Sequence, residues 1–189
     1  MALTEPIRDK EQLKMLAGYF LSQGQFRNHL LLVVGVHTAL RISDILSLKW
    51  DDVYDEGRGE FRKHLVVTEK KTGKTKAIAL HPKIIKALEL HMPDRRGDFI
   101  FAGNRKGHAP ISRVQAWRIL RAAADAIGLF IKVSAHALRK TFGYHAWKDG
   151  VSPVIIMNIF NHTSFAITLR YLGLTQEDID TAYLGLAML

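Results

Sequence analysis

Read from the N-terminus, apolar positions first fall at helical spacing. Leu13, Leu16 and Phe20 share one face behind Asp9, whose carboxylate suits a helix N-cap. Phe26 to Thr38 predicts a second, apolar helix, and Ile42 to Leu48 a short third one with Ile45 and Leu48 inward. The period then shortens. His64 to Thr68 and Thr75 to Leu80 are β-type runs around Lys70-Lys71-Thr72-Gly73, the pattern of a hairpin with a tight basic turn. Pro82 fits the first turn of a helix reaching about Met92. Arg95 to His108, rich in Gly and charge with Phe99-Ile100-Phe101 as an anchor, is expected to be a mobile loop. Helical spacing then returns. Ser112 caps a helix with Val114, Trp117, Leu120, Ala124 and Ile127 on one face, and Gly128 ends it. Further helices are expected from His136 to Lys148, from Pro153 to near Asn161 and from Phe165 to Leu172. Thr175 and Asp178 form a capping-box pattern for a last helix, with Ile179, Tyr183 and Leu186 as its apolar stripe. The fold class is therefore α+β, mainly α: a helical domain with a small antiparallel β-sheet.

Composition narrows the partners. The 189 residues suit one globular domain, and 48% hydrophobic content fills a core. A net charge of +9 points to a polyanion, most simply nucleic acid. With no cysteine there is neither a disulfide nor a thiolate metal site. Met1 to Glu11 lacks the apolar run of a signal peptide, and Leu30 to Val36 is too short to span a bilayer. The expected location is the cytoplasm, associated with the nucleoid, with no membrane partner.

Four segments carry candidate chemistry. In His136-Ala-Leu-Arg139 the polar residues are three apart, so on a helix they share a face. Arginine offers a fork of donors to phosphate oxygens, and histidine exchanges a proton near neutrality. Arg41 stands at the junction of two apolar helices, where a buried guanidinium needs an anionic partner. Asp44, three residues on, is expected to hold it, either as a structural pair or as part of a site. Lys71 sits in the hairpin turn, able to protonate a leaving oxygen or to touch DNA, while Lys70, Lys74 and Lys76 are expected to contact phosphates. In Asn161-His162 to Tyr171 a histidine at a helix end precedes a tyrosine, which becomes a nucleophile only where its surroundings favour the phenolate. Taken alone, these segments read as a solvated face, a structural Arg–Asp pair, a solvated basic turn or an ordinary core tyrosine. Despite nine histidines there is no HExxH and no evident metal cluster.

Taken in order, TALRISDILSLKW, TEKKTGKTKAIAL, HALRKTF and NHTSFAITLRY resemble the motifs of the tyrosine recombinases, the phage-integrase-like site-specific DNA recombinases, and the resemblance runs from Leu13 to Tyr171. It implies that Arg41 and Arg139 clamp the scissile phosphate, that Lys71 is the general acid toward the 5′ oxygen and that His136 assists proton transfer. It implies that His162 hydrogen-bonds the phosphate and that Tyr171 forms a 3′-phosphotyrosyl link, with no cofactor, metal or ATP. Asp44 matches the acidic position supporting the first arginine. Asn161 stands where the family commonly has Gly, and Asn tolerates the left-handed conformation. Lys140 stands where His is frequent, keeps the positive charge and is expected to contact DNA. The expected domain is a catalytic one over 1–189 without the N-terminal core-binding domain that most of the family carry, as in a short recombinase or an excised fragment. It also implies double-stranded DNA as partner and self-assembly into a DNA-bound tetramer through the C-terminal helix, with a monomer or weak self-association expected without DNA. The alternative activities are a type IB topoisomerase-like nicking and closing, and a non-catalytic DNA-binding relative.

Overall fold

The computed structural model describes residues 5–104, 107–129 and 133–185. Among them the first helix, α1 (Lys10–Ser22), begins where Asp9 accepts a hydrogen bond from the Glu11 amide. The second, α2 (Phe26–Thr38), has the predicted bounds and is buried on most sides from His29 to Gly35. A helix apolar around its circumference belongs in the interior, and α2 supplies two cores. Leu30, Leu31, Val33 and Val34 face the larger one; Leu32 packs with Leu16, Phe20 and Leu120 in the second.

The next segment departs from expectation. Helix α3 (Ile42–Ile45) is a single turn, and Leu48 is buried beyond its end. A further turn, α4 (Trp50–Val53), leads into a small antiparallel pair, β1 (Tyr54–Asp55) and β2 (Glu60–Phe61). Neither pattern is long enough to establish a period. The predicted hairpin follows as β3 (His64–Thr68) and β4 (Thr75–Ala79), with His64 opposite Ala79 and Thr68 opposite Thr75. The β component is thus two two-stranded pairs rather than one sheet.

Helix α5 (Pro82–His91) packs along α2. The segment expected to be mobile is pinned at its centre: Ile100 and Phe101 are core residues, and the Ile100 amide donates to the Leu48 carbonyl. Helix α6 (Arg113–Ala126) starts at the predicted cap Ser112 but is rotated from its predicted face. Ala116, Leu120, Ala123 and Ala124 face inward, whereas Val114 is 56% and Trp117 44% exposed. Three alanines let the helix lie close to its neighbours, so bulk did not decide the inward stripe.

The last four helices are α7 (Ala135–Lys148), α8 (Pro153–Phe160), α9 (Phe165–Leu172) and α10 (Gln176–Leu184). Helix α7 crosses α2 closely: a Cβ on Gly35 would lie 2.6 Å from Leu138 Cδ1. That crossing sets Arg139, the next residue, beside the C-terminal end of α2. The capping box of Thr175 and Asp178 is present, and Ile179 and Tyr183 of the expected stripe lie on α10; Leu186 falls outside the described residues. Among the described residues no helix is long and apolar enough to cross a membrane.

Candidate active site

Arg139 is 3% exposed. Its Nη2 donates to the Phe160 carbonyl at 2.7 Å, and its Nη1 donates to the Ala39 carbonyl. Both acceptors lie at helix C-termini, where carbonyls lack intrahelical partners and carry the negative end of the dipole. Ala39, the C-cap of α2, is held at φ 56°, a left-handed conformation that costs an alanine about 1 kcal/mol or more. Burial, then the charge of Arg41, lowers the Arg139 pKa to about 10, which leaves it a cation at neutral pH.

Arg41 is the N-cap of α3, with extended backbone outside the helix that carries Asp44. The three-residue relation that would join them applies between helical positions, so the expected Arg41–Asp44 pair is not formed. Arg41 Nη1 instead donates to Glu69 Oε2 at 2.7 Å, and Asp44 Oδ1 accepts the Lys70 amide at 3.1 Å. Glu69 was not singled out in the sequence. Its side chain is fully buried and also accepts from Lys76 Nζ at 2.6 Å, Thr72 Oγ1 at 2.9 Å and Asn161 Nδ2 at 3.0 Å. Burial opposes its ionisation, but donation from Lys76, Asn161, Arg41 and Thr72 prevails and holds its pKa at about 2. The available signal was an acidic residue inside an otherwise basic turn.

Two of the lysines expected at the DNA surface are placed elsewhere. Lys76 is tied to Glu69 and to the Ile159 carbonyl at 3.1 Å. Lys140 is 5% exposed, with its Nζ 5.6 Å from the centre of the Tyr171 ring. Each follows the geometry of its element, since Lys76 points to the inner side of β4 and Lys140 lies on the buried side of α7. Lys70, Lys71 and Lys74 are exposed.

Arg41, Lys70, Lys71, His136 and Arg139 line one open cleft of about 420 Å³. Arg113, at the first position of α6, lines it too; the sequence reading used only its neighbour Ser112. Tyr171 on α9 meets this group through its ring, edge-on to His136 at 5.1 Å and to His162 at 4.6 Å between centroids. Asn161, the C-cap of α8, adopts φ 52° as its tolerance of that region led one to expect, and the chain there turns so that His162 faces Tyr171. His162 Nδ1 is 3.0 Å from Thr168 Oγ1. Its pKa is lowered to about 4 by burial and then by Arg139, Arg41 and His136. The pKa of His136 is lowered by burial, then by Lys140 and Arg139. Both imidazoles are therefore favoured in the neutral form. Among the described residues, no group of three or more His, Asp or Glu is arranged to hold a metal ion.

The arrangement gathers cations and two neutral imidazoles around one tyrosine, which suits a phosphodiester. Comparison with known proteins agrees. The model of the phage integrase family matches residues 7–178. The chain is 36% identical to a probable integrase/recombinase, YoeC, of Bacillus subtilis over 184 residues, 97% of each protein. It is 28% identical to tyrosine recombinase XerD of Mycobacterium leprae, covering 84% of this chain and 52% of that protein. It thus spans nearly all of the first relative and about half of the second. In fold it is similar to the crystal structure of XerA recombinase (TM-score 0.78, 23% identity, 97% of this chain and 66% of that one). It is also similar to a lambda integrase dimer bound to a COC′ core site (TM-score 0.70, 21% identity, 91% and 60%).

Proposed function

The chain belongs to the phage integrase family, and from that premise we propose that it breaks and rejoins DNA strands at specific sites through Tyr171. The observation that carries this is the contact of the Tyr171 ring with His136 and His162, beside a cleft lined by Arg41 and Arg139.

In this reading the scissile phosphate sits in the cleft. Arg41 and Arg139 bind its non-bridging oxygens and stabilise the charge of the transition state. Tyr171 Oη attacks phosphorus and passes its proton to His136, whose neutral form is able to accept it. The bond to the 5′ oxygen breaks, and that oxygen takes a proton from Lys71. His162, with Nδ1 engaged by Thr168, offers Nε2 to a phosphate oxygen. A 5′ hydroxyl from another strand then attacks the 3′-phosphotyrosyl link and releases Tyr171. The bond energy is kept in the link, so no ATP is consumed.

Lys70 and Lys74 are proposed to touch flanking phosphates, and the described chain is read as the catalytic unit acting on DNA of the nucleoid. Assembly on that DNA is assigned to α10, where Ile179 is 45%, Tyr183 74% and Leu184 87% exposed. The exposure of this apolar face supports its docking on a neighbouring subunit in a DNA-bound tetramer.

The test uses supercoiled plasmid carrying DNA that flanks the gene, incubated with wild type or Tyr171→Phe and stopped with detergent. Covalent protein–DNA adduct with wild type alone is expected. Relaxed plasmid without strand exchange would point to nicking and closing only. Equal DNA binding by both proteins with no adduct would contradict the proposal in favour of a non-catalytic binder.

A further inference from the structure

We propose that Glu69 is a positioning residue for Arg41, and that with Asp44 it locks the start of α3 to the base of the lysine turn, so that Arg41 and Lys71 are held as one unit. This rests on the reading of Arg41 as a phosphate ligand.

The clasp is reciprocal. Arg41 Nη1 donates outward to Glu69, and Asp44 Oδ1 accepts inward from the Lys70 amide. Residues 41 and 44 thus grip residues 69 and 70, immediately before Lys71. Asp44 is 1% and Glu69 0% exposed, so the carboxylate side of each contact is shielded from water. Glu69 is itself fixed from two further sides, by Lys76 on β4 and by Asn161 at the end of α8. A guanidinium has five donors. The Glu69 contact engages Nη1 and restrains the fork from that side.

The charge of Glu69 shows which effect prevails. A carboxylate beside a phosphate site weakens the pull on DNA. A surface loop serving only to attract DNA gains from a neutral residue here. A buried carboxylate with four donors from three elements instead supplies geometry and relieves repulsion between Arg41, Arg139 and Lys76. Removing its charge should therefore slow the chemistry while leaving DNA binding equal or tighter.

The experiment measures adduct formation in a single turnover on the plasmid described above, for wild type, Glu69→Gln, Arg41→Lys and the double variant. Glu69→Gln is expected to slow adduct formation about 30-fold or more, with DNA affinity equal or higher. In the Arg41→Lys background the same substitution should slow it by less than about threefold, because the group it positions has been replaced. Equal loss in both backgrounds, or no loss in either, overturns the inference. If Glu69→Gln does not fold, Asn161→Gly serves in its place: it removes one donor to Glu69 and keeps the left-handed cap. It should slow adduct formation about threefold in the wild-type background only. A second measurement needs no reaction. Side-chain nitrogen NMR of the DNA-free protein should show hindered rotation of the Arg41 guanidinium, and a freely rotating one overturns the inference. If wild type forms no adduct, the recombinase reading fails, and the NMR result alone decides the positioning.

Discussion

A carboxylate without access to solvent stays ionised only when donors replace water, and Glu69 has four. Its folded pKa of about 2 lies below its ordinary 4.5, so its stabilisation is complete above pH 4.5 and is lost as pH falls toward 2. His162 shares the sign by another route: at about 4 against 6.5, it is neutral in both states above pH 6.5, and burial and the neighbouring cations make it destabilise the fold as pH falls toward 4. Each shift corresponds to about 3 kcal/mol. Chemical denaturation of wild type at a series of pH values should show stability falling from pH 6.5, and His162→Gln should make the limb between pH 6.5 and 4 shallower. At this scale the sequence was legible where a motif sets position by spacing. Arg41, Lys71, His136, Arg139, His162 and Tyr171 are all found at or against one cleft. It was not legible where partners are chosen across the fold. Glu69 and Arg41 are 28 residues apart, and nothing local favours Glu69 over Asp44. The lysines separate for the same reason. Lys74→Ala should weaken DNA binding for all sequences and reduce the salt slope by about 1. Lys76→Met should lower the melting temperature and leave that slope unchanged.

Among elements, α7 links the fold to the chemistry. It carries His136 and Arg139, and Gly143, one turn further on, lies against Phe160: a Cβ there would be 2.8 Å from two of its ring carbons. Alanine gains about 1 kcal/mol of helix propensity over glycine, but forcing Phe160 aside costs about 1–3 kcal/mol. Phe160 also supplies the carbonyl that holds Arg139. Gly143→Ala should therefore melt at lower temperature and form adduct more slowly, and an unchanged rate would show that Phe160 gives way without moving Arg139. Helix α6 shows why amphipathic reading falters. Its start at Ser112 was legible because a cap is local chemistry, yet its buried face was set by alanines that a bulk-weighted stripe passes over. Leu120→Ala should cost about 2–5 kcal/mol in thermal or chemical unfolding, and Val114→Ser less than about 0.5 kcal/mol. The same logic explains α2 and α9, whose predicted bounds hold because long or evenly apolar runs fix a period. The four-residue α4 and the two-residue strands β1 and β2 have too few positions to show one.

For the molecule as a whole, a net charge of +9 draws any duplex, and the cleft decides what happens to it. The exposed apolar residues of α10 belong to this scale as well. Tyr183→Asp together with Leu184→Asp should leave the melting temperature of the isolated chain unchanged, and should reduce the stoichiometry of the DNA-bound assembly seen by sedimentation. A tight tetramer without DNA would count against the expected monomer or weak self-association. What remains central is the tyrosine itself. Protein trapped on DNA should be digested and its nucleotide-bearing peptide sequenced by mass spectrometry, while the nicked strand is tested for phosphorylation by a 5′-end kinase. The account predicts a deoxynucleotide 3′-phosphate on Tyr171, none on the more exposed Tyr183, and a free 5′ hydroxyl that accepts label. Attachment to any other residue, or a link through a 5′ phosphate, would contradict it.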